Sequence, residues 1–262
     1  MKQKFIKKES NSHLILFFAG WGSDENLFNR ECNSECDYML CYDYKNLDFN
    51  TAEISHYKKI TIIGWSMGVW TGQKVLSKYI RISEGIKTLS FGKSEIQIVN
   101  SIAINGSPWP ISNTKGIPVD IFRGTLDNFS ESTLVRFRRR ICGTSENSKE
   151  FISHKPYRGI EDLRSELNAL WNMIDKENQE NDSASCSNKT EQECQKLWTK
   201  AIVGKNDKIF PKNNQIAAWT EYGIEEKYIE TTDSEHYDSN IINSILYNPC
   251  LLYTSDAADD GE

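Results

Sequence analysis

The sequence predicts an α/β protein built on a mainly parallel central sheet flanked by helices. Three features lead there. Short continuous apolar runs such as HLILFF (13–18) and KITII (59–63) show little polar alternation, as strands covered on both faces require. Stretches of helical character lie between such runs, most clearly over 69–80 and 212–221, and strands alternating with helices are the pattern of a parallel sheet. The segment GWSMG (64–68) stands where one apolar run gives way to a helix, the place where such sheets carry their chemistry.

Taken in order, HLILFFAGWGS (13–23) reads as a buried strand closed by a Gly-Trp-Gly turn, and CDYMLCYDY (36–44) as a second strand. KKITIIGWS (58–66) is the third. EIQIVNSIAINGSPWP (95–110) holds a fourth, stopped by Asn-Gly and two prolines. LWTKAIVGKNDKIFP (197–211) and EEKYIETTDSEH (225–236) give the fifth and sixth. Residues 123–196 differ in character. LVRFRRRICG and GIEDLRSELNALWNMI suit a helical cap inserted over the sheet, whereas DKENQENDSASCSNKTEQEC (175–194) is so poor in apolar residues that a mobile loop is expected. The expected organisation is a core over 1–122 and 197–250, an inserted cap over 123–196, and a tail over 251–262 that reads as disordered or foreign.

Composition sets outer bounds. At 262 residues, 38% hydrophobic and 26% charged, the chain is long enough for one sizeable core and too apolar to be disordered. No apolar run approaches the roughly 20 residues that cross a bilayer. The opening MKQKFIKKESNSH is basic without the apolar stretch of an export signal, so a cytoplasmic protein is expected. The formal charge is −6, and four acids of the tail supply most of it, so the acidity says little about partners. No nucleic-acid or membrane partner is expected, and the chain is read as a monomer. Seven cysteines, an odd number without an export signal, read as reduced thiols. Cys32, Cys36 and Cys41 lack the paired spacing of a zinc site, so neither a metal nor an organic cofactor is expected.

In Gly64-x-Ser66-x-Gly68 the serine occupies a sharp strand-to-helix elbow that raises its hydroxyl above the sheet. A serine hydroxyl needs a base, usually a histidine, held in turn by a carboxylate. In this fold the order along the chain is serine, acid, histidine. His13 and His56 precede Ser66, and His154 falls in the cap-like region. His236, in DSEHYDS after the last strand, is where the base is expected. Asp207 follows the strand KAIVG and is the favoured acid; Asp127, in FRGTLDN, is its rival. An oxyanion hole needs two amides aimed at the carbonyl oxygen. Met67 follows the nucleophile, and Trp21 lies in the glycine-rich turn after the first strand. Trp65, Trp70, Trp109 and Phe137 read mainly as core.

GWSMG alone is shared by many α/β-hydrolases. The wider set LILFFAGWGSDENLF, CYDYKNLDF, GWSMGVW, INGSPWPI, GTLDNFSESTLVRFRRRICG and GKNDKIFP with EHYD resembles the BioG family of pimeloyl-acyl-carrier-protein methyl ester esterases over most of 14–242. The resemblance implies an α/β-hydrolase fold and removal of the methyl group that masks the distal carboxyl of a pimeloyl thioester in biotin synthesis. It implies Ser66 as nucleophile, Asp207 and His236 as its partners, Trp21 and Met67 as oxyanion donors, and an acylated acyl carrier protein as substrate. The hydrophilic run 176–195 is longer than this family leads one to expect. An acidic carrier calls for local positive charge, and Arg136, Arg138, Arg139 and Arg140 form a dense basic cluster suited to it. A short-chain carboxylesterase or a thioesterase would use the same elbow, and an inactive scaffold would keep the same shell.

Overall fold

The computed structural model describes residues 1–183 and 195–249. The expected tail over 251–262 lies outside the described residues, as do Cys186, Cys194 and Cys250.

The sequence-predicted strands become β2 (His13–Phe18), β3 (Cys36–Tyr42), β4 (Lys59–Trp65), β7 (Ser94–Ile104), β8 (Lys200–Gly204) and β9 (Ile229–Thr232). They lie side by side in the order β3-β2-β4-β7-β8-β9, every neighbouring pair parallel. All residues of β2, β3 and β8 are buried, which is why their sequences lack alternation. Helices α1 (Met67–Leu76), α6 (Lys212–Tyr222) and α7 (Ser239–Tyr247) flank the sheet. The fold class read from the sequence is the one observed.

Three strands escaped the sequence reading. β1 (Lys2–Lys7) pairs antiparallel with β3, while β5 (Ile80–Ser83) and β6 (Ile86–Phe91) form an antiparallel meander with the first half of β7. They sit at the margins, half exposed, so little apolar pattern betrays them. The β5–β6 turn puts Glu84 at φ 51° and Gly85 at φ 78°, the paired left-handed residues that a two-residue hairpin demands.

Between β7 and β8 four helices are inserted: α2 (Val119–Asp127), α3 (Glu131–Cys142), α4 (Ser145–Ser153) and α5 (Ile160–Ser183). α3 starts with a capping box in which Ser130 and Thr133 satisfy each other's backbone amides, and stops at Gly143 with φ 64°. The expected mobile loop over 175–194 is corrected in part, because α5 continues through Ser183. That stretch is polar but free of Gly and Pro, and one-turn pairs such as Gln179 to Asp175 (2.7 Å) and Lys176 with Glu180 (3.8 Å) support it. Residues 184–194 lie outside the described residues. No helix among the described residues is long and apolar enough to cross a membrane.

The cysteines on β3 have no common target. Cys36 and Cys41 are five residues apart on one strand and therefore face opposite sides of the sheet. Burial pushes the Cys142 thiol up to about 11 and Cys41 well above its ordinary value, so neither is a thiolate at neutral pH.

Arg158, just before α5, fastens the inserted layer to the sheet. Its guanidinium meets Asp43 at 2.9 Å and Asp162 at 2.7 Å, and Lys45 pairs with both acids. Burial alone would raise the Asp162 carboxyl, but the hydrogen bonds from Arg158 and Lys45 outweigh it and hold the group at about 2. A folded pKa below the ordinary 3.8 gives stability that is present above that value and lost as pH falls towards 2. Asp162→Asn is therefore expected to lower the melting temperature at pH 6, with the gap to wild type narrowing as pH drops from about 4 to about 2. A gap that stays constant over that window would refute the assignment.

Candidate active site

β2, β4, β7, β8 and β9 run parallel and so present their carboxyl ends along one edge of the sheet. The site is assembled there. β4 ends at Trp65 and α1 begins at Met67, leaving Ser66 to make the whole turn at φ 58°, ψ −126°. A residue with a side chain holds such a backbone at a cost on the order of 1–3 kcal/mol, and the surrounding packing must impose it. Gly68 permits that packing: a Cβ there would lie 1.9 Å from the Phe18 carbonyl oxygen.

His236 follows β9 and faces Ser66. Its Nε2 stands 3.0 Å from the Ser66 hydroxyl, and its Nδ1 stands 2.9 Å from Asp207 Oδ2. With the carboxylate accepting, Nδ1 carries the proton and Nε2 is free to accept from the serine. Asp207 is fixed in its turn, since Oδ1 accepts the amides of Ile209 (2.7 Å) and Phe210 (2.9 Å) and Oδ2 accepts Gln215 Nε2 (3.2 Å). The imidazole stacks on Phe210 with a ring separation of 5.9 Å and an interplanar angle of 6°. Ser66, Asp207 and His236 are all buried, so little water competes for these hydrogen bonds. Asp127 instead closes α2 with an exposed side chain, while His13 bonds Thr61 and His154 sits beside Glu150.

Met67 is the first residue of α1, and its amide is among those a helix leaves without an internal partner. The Gly20–Trp21 backbone runs against Ser66; a Cβ at Gly20 would stand 2.9 Å from Ser66 Cβ. Trp21 and Met67, the two predicted oxyanion positions, line one pocket with Ser66. Above them a narrow apolar pocket reaches up between α2, α3 and α5, with Ser66 and His236 at its base and Trp21, Ile121, Phe122, Phe137 and Leu167 among its walls. Ile121, Thr125, Phe137 and Arg140 also line a wider outer groove with Arg136 and Asp120, so the pocket widens towards solvent between α2 and α3.

Trp65 and Phe137, expected as core, line this pocket, whereas Trp70 is buried with its Nε1 donating to Glu177 at 3.1 Å and Trp109 lies under Lys115. The basic cluster is divided. Arg136, Arg139 and Arg140 are exposed, but Arg138 turns inward over the Phe151 ring, 6.0 Å from its centre. Adjacent helical residues cannot share one face, which accounts for the split.

The sequence reading missed the residues that hold the histidine loop. Asn105 Nδ2 donates to the carbonyls of Glu235 (2.8 Å) and His236 (3.0 Å), and its Oδ1 accepts the Gly204 amide at 2.7 Å. Trp65 Nε1 donates to the same His236 carbonyl at 2.8 Å. Asn105 directly follows β7 with φ 44°, and the Asn-Gly step was its only visible signal.

The arrangement can deliver a hydroxyl to an acyl carbonyl. The family model "Pimeloyl-ACP methyl esterase BioG" matches residues 1–240. A malonyl-[acyl-carrier protein] O-methyltransferase of Bacteroides fragilis is 38% identical over 241 residues, covering 92% of this chain but only 42% of that protein's length. The crystal structure of BioG from Haemophilus influenzae superposes with a TM-score of 0.73 at 29% identity, over 95% of this chain and all of that one. A hydrolase from Oleispira antarctica, at 10% identity and TM-score 0.53 over 94% of this chain and 91% of that one, shares the α/β-hydrolase fold. The sheet, the elbow and the family match over residues 1–240 agree: the chain belongs to the pimeloyl-ACP methyl esterase BioG family.

Proposed function

We propose that the chain is a serine esterase that hydrolyses the methyl ester of a pimeloyl chain borne on acyl carrier protein, freeing the distal carboxylate for biotin synthesis. The observation that carries this reading is the continuous path Ser66–His236–Asp207, with links of 3.0 Å and 2.9 Å, at the base of an apolar pocket. In this mechanism His236 Nε2 takes the Ser66 proton as the hydroxyl attacks the ester carbonyl. The amides of Trp21 and Met67 hold the developing oxyanion, and Asp207 stabilises the imidazolium. His236 then gives its proton to the departing methanol. Water, activated by the same ring, releases the carboxylate from the acyl-enzyme.

The apolar pocket suits the methylene chain, and helices α2–α5 serve as the cap that excludes water from it. Arg136 and Arg140 line the outer groove and Arg139 is exposed on the same helix, a set that suits the phosphate of the carrier's prosthetic arm and the acidic carrier itself. Arg138, turned towards Phe151, stays outside that surface. The test compares kcat/KM for the methyl ester on its carrier and as a free small-molecule ester. The carrier form is expected to be preferred, with a preference that weakens as salt rises. In Arg136→Glu/Arg139→Glu it is expected to fall about tenfold or more. Equal rates on both forms in the wild type would favour a general carboxylesterase.

A further inference from the structure

The turn that carries Trp21 is not held by the sheet alone. Residues 155–166, from the inserted helical layer, reach it repeatedly. Leu163 O accepts Trp21 Nε1 at 3.0 Å, Glu166 Oε2 accepts the Gly22 amide at 3.4 Å, and Arg158 Nη1 donates to Ser23 O at 3.4 Å. Further along, Asp24 Oδ2 accepts the Tyr157 amide at 2.7 Å, and Asn26 Nδ2 donates to Lys155 O at 2.7 Å.

Glu166 stands at the centre of this seam with no exposed surface. Besides Gly22, its Oε2 accepts Arg158 Nη1 at 2.6 Å, and its Oε1 accepts the Tyr44 amide at 2.8 Å. The Tyr44 hydroxyl in turn donates between two carbonyls, Ala19 O at 2.8 Å and Cys41 O at 2.9 Å. One carboxylate therefore grips the turn on both sides, directly at Gly22 and through Tyr44 at Ala19. Between those points lie only Gly20 and Trp21. A carboxylate is removed from water at high cost unless it is paired and its lone pairs are filled. Here Arg158 supplies the charge and two backbone amides fill the lone pairs, so the geometry is over-determined in the way a preformed oxyanion donor needs.

We propose that Glu166 is a positioning residue for acyl transfer: acting from the helical layer, it locks the Ala19–Gly22 turn in the conformation that aims the Trp21 amide at the oxyanion. This rests on the reading of Ser66 as nucleophile and of the Trp21 amide as donor. It also means that seating of the helical layer and completion of the oxyanion hole are a single event.

The test uses Glu166→Gln, which keeps the shape and removes the charge. On a methyl ester its kcat is expected to fall about 10–100-fold while KM changes less than about twofold, because the interaction is realised in the transition state. Affinity for a trifluoromethyl ketone, whose adduct with Ser66 places an oxyanion in the hole, is expected to fall by a similar factor. The midpoint of the pH–rate profile is expected to stay where it is, since the His236–Asp207 pair is untouched. Tyr44→Phe, which loosens only the Ala19 side, is expected to show the same signature more weakly, and it stands as the second variant if Glu166→Gln folds poorly. Tyr57→Phe, which removes the buried 2.6 Å hydrogen bond to Asp37 at the opposite end of the sheet, is expected to cost stability without changing kcat. Ketone affinity unchanged in Glu166→Gln and Tyr44→Phe, or lowered equally in Tyr57→Phe, would overturn the proposal and leave the esterase reading intact. A folded wild type that neither cleaves esters nor reacts with a fluorophosphonate would overturn both.

Discussion

Replacing Ser66 with alanine is expected to lower kcat on a methyl ester by on the order of 10⁴- to 10⁶-fold, leaving a folded protein that a fluorophosphonate no longer labels. His236→Ala is expected to cost about as much, and the double variant little more than either alone. The reason is geometric. In the proposed mechanism the hydroxyl is activated across its 3.0 Å contact with His236 Nε2, so removing either member removes the proton transfer itself. Losses that multiply in the double variant would mean that the two side chains act in separate steps, and the relay would have to be abandoned. Retention of more than about one per cent of wild-type kcat by Ser66→Ala would place the nucleophile elsewhere.

Gly68→Ala is expected to have the largest effect of any single added methyl group. Its Cβ would meet the Phe18 carbonyl oxygen at 1.9 Å, the Phe18 carbonyl carbon at 2.4 Å and the Ala19 oxygen at 2.6 Å, all backbone atoms. No side chain can swing aside to relieve them. The start of α1 must move off the end of β2, and Ser66 must move with it. Overpacking of a core costs about 1–3 kcal/mol, and a backbone collision belongs at or beyond the top of that range. Chemical denaturation is expected to show a lowered midpoint, with esterase activity lost together with the fold. Gly124→Ala is the informative contrast. Gly124 lies inside α2 with nothing near the added methyl group, so alanine there is expected to stabilise by about 0.5–1 kcal/mol. A Gly68→Ala midpoint equal to wild type would show that the elbow is looser than its contacts imply.

The parts of this molecule that could be read from the sequence are those where one physical requirement leaves a local mark. Strands covered on both faces had to be continuously apolar, and β2, β4 and β8 were visible for that reason. The elbow had to pair glycines around a serine at a strand end. His236 and Asp207, which the structure joins to Ser66 in one hydrogen-bonded path, could be singled out because the serine fixed which strand ends mattered. What stayed hidden depends on partners remote in sequence. β5 and β6 are half-exposed strands stabilised by pairing with β7, and no apolar rhythm announces them. Asn105 looked like a turn former, yet its amide group spans from β8 to the histidine loop. Glu166 looked like one more acid on a polar helix, and only the seating of α5 on the Trp21 turn shows why it is buried. The arginine run was legible only in part: four neighbours in sequence mark a basic helix whose members cannot all face one way, and its seating puts Arg138 over Phe151.

The late position of β8 has a consequence for how the protein is made. β8 joins β7 through three residue pairs, Ile102 with Lys200 to Ile104 with Ile202, and it follows the entire helical insertion. A chain leaving the ribosome from its N-terminus exposes Ser66 long before Asp207 and His236 have been translated. Throughout that interval the nascent hydroxyl has neither a proton acceptor nor a carboxylate to orient one. Under the proposed mechanism, reactivity is withheld until translation has passed residue 236, and a polypeptide that stalls earlier carries an inert serine.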